Sequence, residues 1–335
     1  MEEETNYEKK CKFMKNSMSL DDFPKVEGYN FEDNFDYDKF MDSFFNTGFQ
    51  ATLLGQGIKI VRNMIDNKVK IFLSFSGNAI SSGLREIIKF LVKHNYVHSI
   101  VTTAAGVEED IIKTFKPFCI GDFDVSGKFL FDNGIGRIGN IFVPFDRYLY
   151  FEKFMIPFLN ILYDKQQKSG VPITPVEFNR MLGEHVNDEN SYLYWAAKNN
   201  IPVYCPGIID GAIGDVIYFF KKNKSDFYID VTGDHLKIID YTLGDYKTGA
   251  IILGGGTAKH YTLNANILKE GLSYAVYLTT AQEFDGSDSG GNQEEAKTWA
   301  KIKCDAQTVK VRGDFTMSFP LLVASSFAKD YRKKK

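Results

Sequence analysis

The stretch VKIFLSFSGNAISSGLREIIKFLV, residues 69–92, decides how the chain is to be read. VKIFLSFSG is a short β-branched and aromatic run that ends in Gly77, the composition of a strand running into a turn. Ser81 and Ser82 follow, residue types suited to capping a helix. Leu84, Ile87, Ile88, Leu91 and Val92 then recur at helical spacing. Strand, turn and amphipathic helix thus follow one another directly.

The same unit recurs along the chain. SIVTTAAG (99–106) precedes Glu108, Glu109 and Asp110, acids expected in the first turn of a helix. IPVYCPG (201–207) leads to Asp210 and to a helix near Asp215. FYIDV (227–231), AIILGGG (250–256) and YAVYLTT (274–280) read as three more strands, each followed by a polar or Gly-rich turn. This alternation predicts an α/β, Rossmann-like doubly wound fold: a mostly parallel sheet with helices on both faces. In such sheets ligands sit beyond the carboxyl ends of the strands. That rule singles out Asn78, Ser81, Thr103, Glu109, Asp210, Gly255 and Asp285 to Asp288. Residues 1–45 are charged, rich in Phe and Tyr and without a clean period, so they read as an N-terminal helical arm; residues 46–335 form a single domain. With Phe31, Phe35, Tyr37, Phe40, Phe44 and Phe45, the arm is expected to dock on the body.

Composition narrows the function classes. Hydrophobic residues make up 44% and the net charge is −3, as in ordinary globular proteins, which argues against a nucleic-acid-coating surface. No apolar run approaches the roughly 18 residues of a membrane span, and a soluble, non-secreted, cytoplasmic protein is expected. Cys11, Cys119, Cys205 and Cys304 lie far apart with no CxxC pair, so neither disulfides nor a zinc site is suggested.

Several motifs invite chemistry. GIGRIG (134–139) matches GxGxxG formally but precedes NIFVPFDRY with Pro144, so it reads as a loop and not as a dinucleotide turn. GGG at 254–256, directly after a strand, would let a dinucleotide approach the backbone, and is equally compatible with a bare strand-to-helix turn. The densest polar cluster is EFDGSDSGGNQEEAKTWAKI, 283–302, an acidic Gly- and Ser-rich turn followed by a short helix. Taken alone it is equally a solvated loop; it has no His and lacks the spacing of a calcium loop, so no metal is expected. In that helix Trp299 beside Lys301 could supply an apolar wall disfavouring the ammonium. His260, at the start of a helix, could act as a general base, or simply as a packing residue.

Read together, these segments resemble the deoxyhypusine synthases from about residue 65 to 328. The resemblance lies in NAISSGLREII (78–88), TTAAGVEEDIIK (102–113), GRIGNIFVP (136–144), DGAIGD (210–215), ILGGGTAKH (252–260), EFDGSDSGG (283–291), EEAKTWAKI (294–302) and DAQTVKV (305–311), in the family's order. It implies Lys301 as the covalent nucleophile and His260 as an acid/base group. It implies a polyamine site of Asp215, His260, Gly286, Ser287, Asp288, Glu295 and Trp299. Contacts to NAD would come from Asn78, Ala79, Ile80, Ser81, Thr103, Ala104, Glu109, Asp210, Gly255, Asp285, Asp314 and Phe315, making 46–335 an NAD-binding catalytic domain. The implied reaction transfers the 4-aminobutyl arm of spermidine to a lysine of the translation factor 5A precursor, in a homotetramer with sites between subunits. A relative using putrescine as acceptor, homospermidine synthase, shares these segments; a silent regulatory paralogue is argued against by the joint presence of Lys301, His260, Asp215, Asp288 and Glu295. The chain departs from the family text in four places: Gly77 stands where many members have Ser, Ala105 where TTAGG is common, Ala300 where Gly often precedes the lysine, and GGNQ (290–293) where a proline-containing stretch is more common.

Overall fold

Residues 248–253 are buried at every position, as expected of a strand covered on both faces. The computed structural model, which describes residues 5–14 and 17–335, places this strand inside a six-stranded sheet. In chain order the elements are α1 (Asn6–Phe13), α2 (Tyr37–Thr47), α3 (Phe49–Asp66), β1 (Lys70–Phe75), α4 (Asn78–Ser81), α5 (Leu84–Lys93), β2 (Ser99–Val101) and α6 (Ala104–Phe115). An insert follows: β3 (Cys119–Ile120), α7 (Gly127–Asp132), β4 (Ile135–Ile138), β5 (Ile141–Pro144), α8 (Asp146–Ser169), α9 (Pro175–Val186) and α10 (Tyr192–Lys198). The chain returns through β6 (Val203–Tyr204), α11 (Ala212–Asn223), α12 (Val231–Thr242), β7 (Thr248–Leu253), α13 (Gly256–Asn264), β8 (Leu272–Thr279), α14 (Gln293–Thr298), β9 (Ile302–Arg312), α15 (Phe315–Ser325) and α16 (Phe327–Lys334).

The sheet order is β6-β2-β1-β7-β8-β9 and every pairing is parallel. Alternating side chains divide between two cores. Ile71, Leu73, Phe75, Ile251, Leu253, Val276 and Leu278 join the larger, beneath α3, α5, α6 and α15. Phe72, Ala250, Ile252, Ala275 and Tyr277 join the smaller, which takes in Ile238 of α12, Ala258 of α13 and Ala296 of α14. The expected doubly wound α/β fold is therefore present. Order reverses at β1, whose neighbours are β2 on one side and β7 on the other; the crevice beyond their carboxyl ends is the switch point where such folds bind ligands.

Some local expectations are corrected. FYIDV (227–231) is not a strand of the sheet: Ile229 makes one bridge to Ile173, and the Asp230 carboxylate accepts from Thr232 and Gly233 N–H, capping α12. Glu108, Glu109 and Asp110 lie beyond the first turn of α6, which begins at Ala104, and all three are buried. Ser82 Oγ accepts from Leu84 N–H at the start of α5, but Ser81 closes α4 and its hydroxyl donates inward. GIGRIG is neither a loop nor a dinucleotide turn: β4 pairs antiparallel with β5 as a hairpin. The arm contains α1 and α2, and α2 packs on α3 through buried Met41 and half-buried Phe40 and Phe44, so the docked part of the arm crosses residue 45. Phe31 and Phe35 remain largely exposed, stacked around Tyr29 and Phe40. Residues 1–4, 15 and 16 of the expected arm lie outside the described residues.

Candidate functional site

Segments beyond the carboxyl ends of all six strands, β1, β2, β6, β7, β8 and β9, carry the predicted cofactor residues to one edge of the sheet. After β1, Asn78 to Ser81 form the single-turn helix α4, with Ala79, Ile80 and Ser81 buried and Asn78 exposed. Lys113 of α6 locks this turn, its Nζ donating to the carbonyls of Ile80, Ser81 and Ser82 at 2.8, 3.2 and 2.9 Å. After β2, Thr103 Oγ1 accepts the Gly77 N–H at 3.2 Å, and Ala104 opens α6. Ser81 donates to the carboxylate of Glu109, which is only 4% exposed. Burial pushes the Glu109 carboxyl up to about 7, against the lowering pull of the Ser81 hydroxyl. Gly77 and Ala105 face one another here: a Cβ on Gly77 would fall under 3.0 Å from the Ala105 methyl. The contact has room for one side-chain carbon, which this chain places on Ala105.

After β7, Gly254 (φ +80°) and Gly256 (φ +64°) take the left-handed conformations that glycine supplies, and Gly255 sits against Ser289. Phe315 lies 3.6 Å from the position of a Cβ on Gly254, and Asp314 Oδ1 caps α15 through Thr316 N–H at 2.7 Å. Beyond β8, Asp285 accepts from the Ser287 hydroxyl at 2.7 Å, a bond that holds its carboxyl below the usual range.

The predicted polyamine residues fall into two groups. His260, the fifth residue of α13, has Nδ1 2.8 Å from Asp288 Oδ1. The loop between β8 and α14 supplies Gly286, Ser287 and Asp288, and α14 supplies Glu295. Trp299, 65% exposed, ends α14 and stands open to solvent, so it builds no closed apolar wall around the lysine within this chain. Lys301 is not in the helix, as the sequence suggested; it follows Ala300 (φ +54°) and directly precedes β9, its carbonyl accepting from Leu272 N–H at 3.0 Å. That puts its backbone at the amino edge of the sheet, where the rule of carboxyl ends does not look. It is nevertheless close enough to Lys259 for the two ammonium groups to repel.

Asp210 and Asp215 belong to the other group. They flank the start of α11, whose Ile213 N–H donates at 2.9 Å to buried Glu108, and both raise the Glu108 carboxyl together with burial, the larger cause. Within one chain, then, the structure joins Asp215 to Glu108 and Asp210, and Asp288 to His260. Sequence reasoning missed Glu108, Lys113, Lys259 and Lys310 as parts of these clusters; charged residues embedded in apolar helix and strand faces are the signal that could have found them.

Comparison with known proteins shows the family. The family model described as deoxyhypusine synthase matches residues 39–326. The deoxyhypusine synthase of Musa acuminata is 44% identical, over 96% of this chain and 93% of its own length. That of Arabidopsis thaliana is 45% identical, over 91% of this chain and 90% of its own. A crystal structure from Entamoeba histolytica, assigned as a deoxyhypusine synthase, superposes with a TM-score of 0.62 at 28% identity, over 90% of this chain and 97% of that one.

Proposed function

The chain belongs to the deoxyhypusine synthase family of aminobutyl-transferring enzymes, and on that premise we propose that it moves the 4-aminobutyl arm of spermidine onto a lysine of the translation factor 5A precursor, with Lys301 as nucleophile and NAD as cofactor. The observation that carries this reading is the His260–Asp288 pair, held on the same side of the sheet as α14 and the Lys301 turn. A carboxylate on Nδ1 fixes the neutral tautomer and leaves Nε2 able to accept a proton.

The residues present fit NAD. The switch-point crevice is flanked by the Gly254–Gly256 turn, α6 begins there without a side-chain cap on its amides, and Glu109, Asp210, Asp285 and Asp314 offer carboxylates suited to ribose hydroxyls. Asn78, Ala79, Ile80, Ser81, Thr103, Ala104, Gly255 and Phe315 complete that lining. When bound there, NAD would supply the hydride acceptor needed to convert spermidine's secondary amine to an imine and the hydride donor needed to reduce the product imine. His260 takes the accompanying proton. A neutral Lys301 attacks the imine carbon, 1,3-diaminopropane leaves, and the aminobutyl group stays on Lys301 as an imine until the acceptor lysine displaces it. Asp215, Asp288 and Glu295 bind the cationic ends of the polyamine, with Trp299, Gly286 and Ser287 shaping its path.

We further propose a homotetramer with sites between subunits, a reading that the arrangement within one chain supports. The Lys301 backbone lies at the amino edge of the sheet, about 25 Å along β8 from the carboxyl edge, while its ammonium reaches towards Lys259 on the helix after the Gly254–Gly256 turn. Both groups of predicted polyamine residues are rimmed by large exposed apolar side chains, Ile209, Tyr218 and Phe219 near Asp215, and Phe284 and Trp299 near Asp288. Two subunits facing one another would bring Asp210 and Asp215 of one to the His260, Asp288 and Lys301 group of the other. Residues 46–335 act as one catalytic body and the arm up to α2 as its cover, in a cytoplasmic protein without nucleic-acid or membrane partners. No helix among the described residues is long and apolar enough to cross a membrane.

Incubation with labelled spermidine and NAD⁺ followed by borohydride labels the wild type and leaves Lys301→Arg unlabelled, because a guanidinium stays protonated. Equal labelling of both would remove Lys301 from the mechanism. Supplying the 5A precursor or putrescine as acceptor separates the two related activities.

A further inference from the structure

The loop from Thr280 to Gly291 carries Asp285 and Asp288 among Gly286, Gly290 and Gly291, a composition that loses much conformational freedom on ordering. Two buried lysines hold it. Lys259 of α13 is 3% exposed; its Nζ donates to the carbonyl of Asp288 and, at 2.9 Å, to that of Gly291, and lies 5.3 Å from the centre of the Tyr277 ring. Lys310 of β9 is 4% exposed; its Nζ donates to the Gly290 carbonyl at 2.6 Å and lies 3.4 Å from the Glu283 carboxylate. Arg312, on the same strand, reaches Glu283 at 2.5 Å.

Burying an ammonium is costly, and an apolar side chain of similar length would fill either position with less penalty. What the lysines achieve is directional. Their hold on the carbonyls of residues 288, 290 and 291 turns the loop backbone inward, while the Asp288 side chain is presented to His260 and the Asp285 side chain to Ser287. The Ser289 hydroxyl, between the two pins, accepts the Gly256 N–H at 2.9 Å and so ties the loop to the glycine turn after β7.

We propose that Lys259 and Lys310 are positioning residues of the transfer site, a two-point latch that sets the spacing between Asp285 on the cofactor side and the Asp288–His260 pair on the polyamine side. The proposal rests on the ligand-binding reading of those residues. Neither lysine belongs to the β1–α4 turn or to the Lys301 segment, so releasing either pin loosens the loop and leaves both in place.

Full-length Lys310→Met and Lys259→Met are compared with wild type by amide hydrogen exchange and by steady-state kinetics with spermidine. Exchange at residues 285–291 rises about tenfold or more while residues 78–81 stay protected. The KM for spermidine rises by about tenfold in both, and kcat stays within about threefold in Lys310→Met, where the loss is of substrate positioning; the kcat criterion applies to that variant alone, because the charge of Lys259 also acts on Lys301. Lys310→Gln, which keeps an N–H donor for the Gly290 carbonyl without the charge, folds if Met is not tolerated and gives a smaller rise in both. Unchanged loop exchange in the folded variants, or a fall in the kcat of Lys310→Met with KM unmoved, overturns the latch. If the wild type shows no turnover with spermidine, the functional reading fails, and loop exchange alone decides the latch.

Discussion

The contact between Gly77 and Ala105 makes a quantitative demand on the cofactor edge of the sheet. A serine at position 77, the common family residue, needs no unusual backbone, because Gly77 already lies in the right-handed helical region at φ −48° and ψ −40°. Its Cβ, however, would fall under 3.0 Å from the Ala105 methyl and 3.3 to 3.4 Å from the Ala105 backbone, where carbon atoms prefer about 3.5–4.0 Å. An overlap of that size in a buried turn corresponds to about 2–3 kcal/mol of overpacking. Ala105→Gly alone costs about 0.5–1 kcal/mol through the flexibility of glycine in α6. In the double variant Gly77→Ser/Ala105→Gly the overlap vanishes, and the stiffer backbone of the introduced serine offsets the looser one of the introduced glycine, leaving stability within about 1 kcal/mol of wild type. Urea unfolding of the four proteins at one concentration then gives a coupling energy of about 2 kcal/mol in favour of the pair. The Gly77 N–H bonds to Thr103 within this turn, so NAD⁺ affinity is expected to fall in the Gly77→Ser single variant and return in the double. Additive effects, with the double variant as unstable as the sum of its parts, would refute the idea that this contact has room for only one side-chain carbon.

Other predictions follow from single features. Ala300 holds φ +54°, a conformation that costs an L-residue about 1–2 kcal/mol, so Ala300→Gly raises the melting temperature, with a gain of up to about 1 kcal/mol after the added freedom of glycine is allowed for. Because burial holds the Glu109 carboxyl at about 7, the folded protein retains a proton there that the unfolded chain loses near its ordinary value of 4.5. Stability from this group is therefore complete below that value and is lost as pH rises through 7, by about 3 kcal/mol; melting curves between pH 5 and pH 8 detect the fall, and Glu109→Gln flattens it. Mixing Lys301→Ala subunits with subunits disabled at Asp314 restores activity towards about one quarter of wild type if each site draws on two chains, since half of the statistical pairs carry one intact site. No recovery on mixing, with exchange of subunits verified, would confine each site to one chain.

Much of the sheet was legible because its strands are either buried on both faces or followed by glycine. VKIFLSFSG, AIILGGG and YAVYLTT are β1, β7 and β8 within a few residues of the expected bounds. FYIDV misled because its β-rich composition competes with a local signal, the Asp230 carboxylate that reaches two following amides and starts a helix. The acids of α6 look like helix-start residues, yet the long-range partners Ser81, Ile213 and Arg85 bury them, and partners so distant in sequence leave no local pattern. The turns proposed for the cofactor could be placed from the carboxyl-end rule. Lys301 could not, since it precedes its strand; its neighbour Trp299 and the family resemblance pointed to it.

The parallel arrangement also bears on how the chain reaches its fold. β1 lies at the centre of the sheet, and its longest pairing, Lys70 opposite Thr248 through Phe75 opposite Leu253, joins segments about half the chain apart. During synthesis β1 emerges early and its β7-facing edge stays unpaired until β7 follows, while the closure of so long a loop slows the encounter. For that interval the nascent protein presents an apolar, unprotected strand edge, the feature that invites association with other chains. A fragment ending before residue 248 should therefore aggregate where the whole chain does not, and folding yield should depend on chaperones that shield the first half until the second arrives.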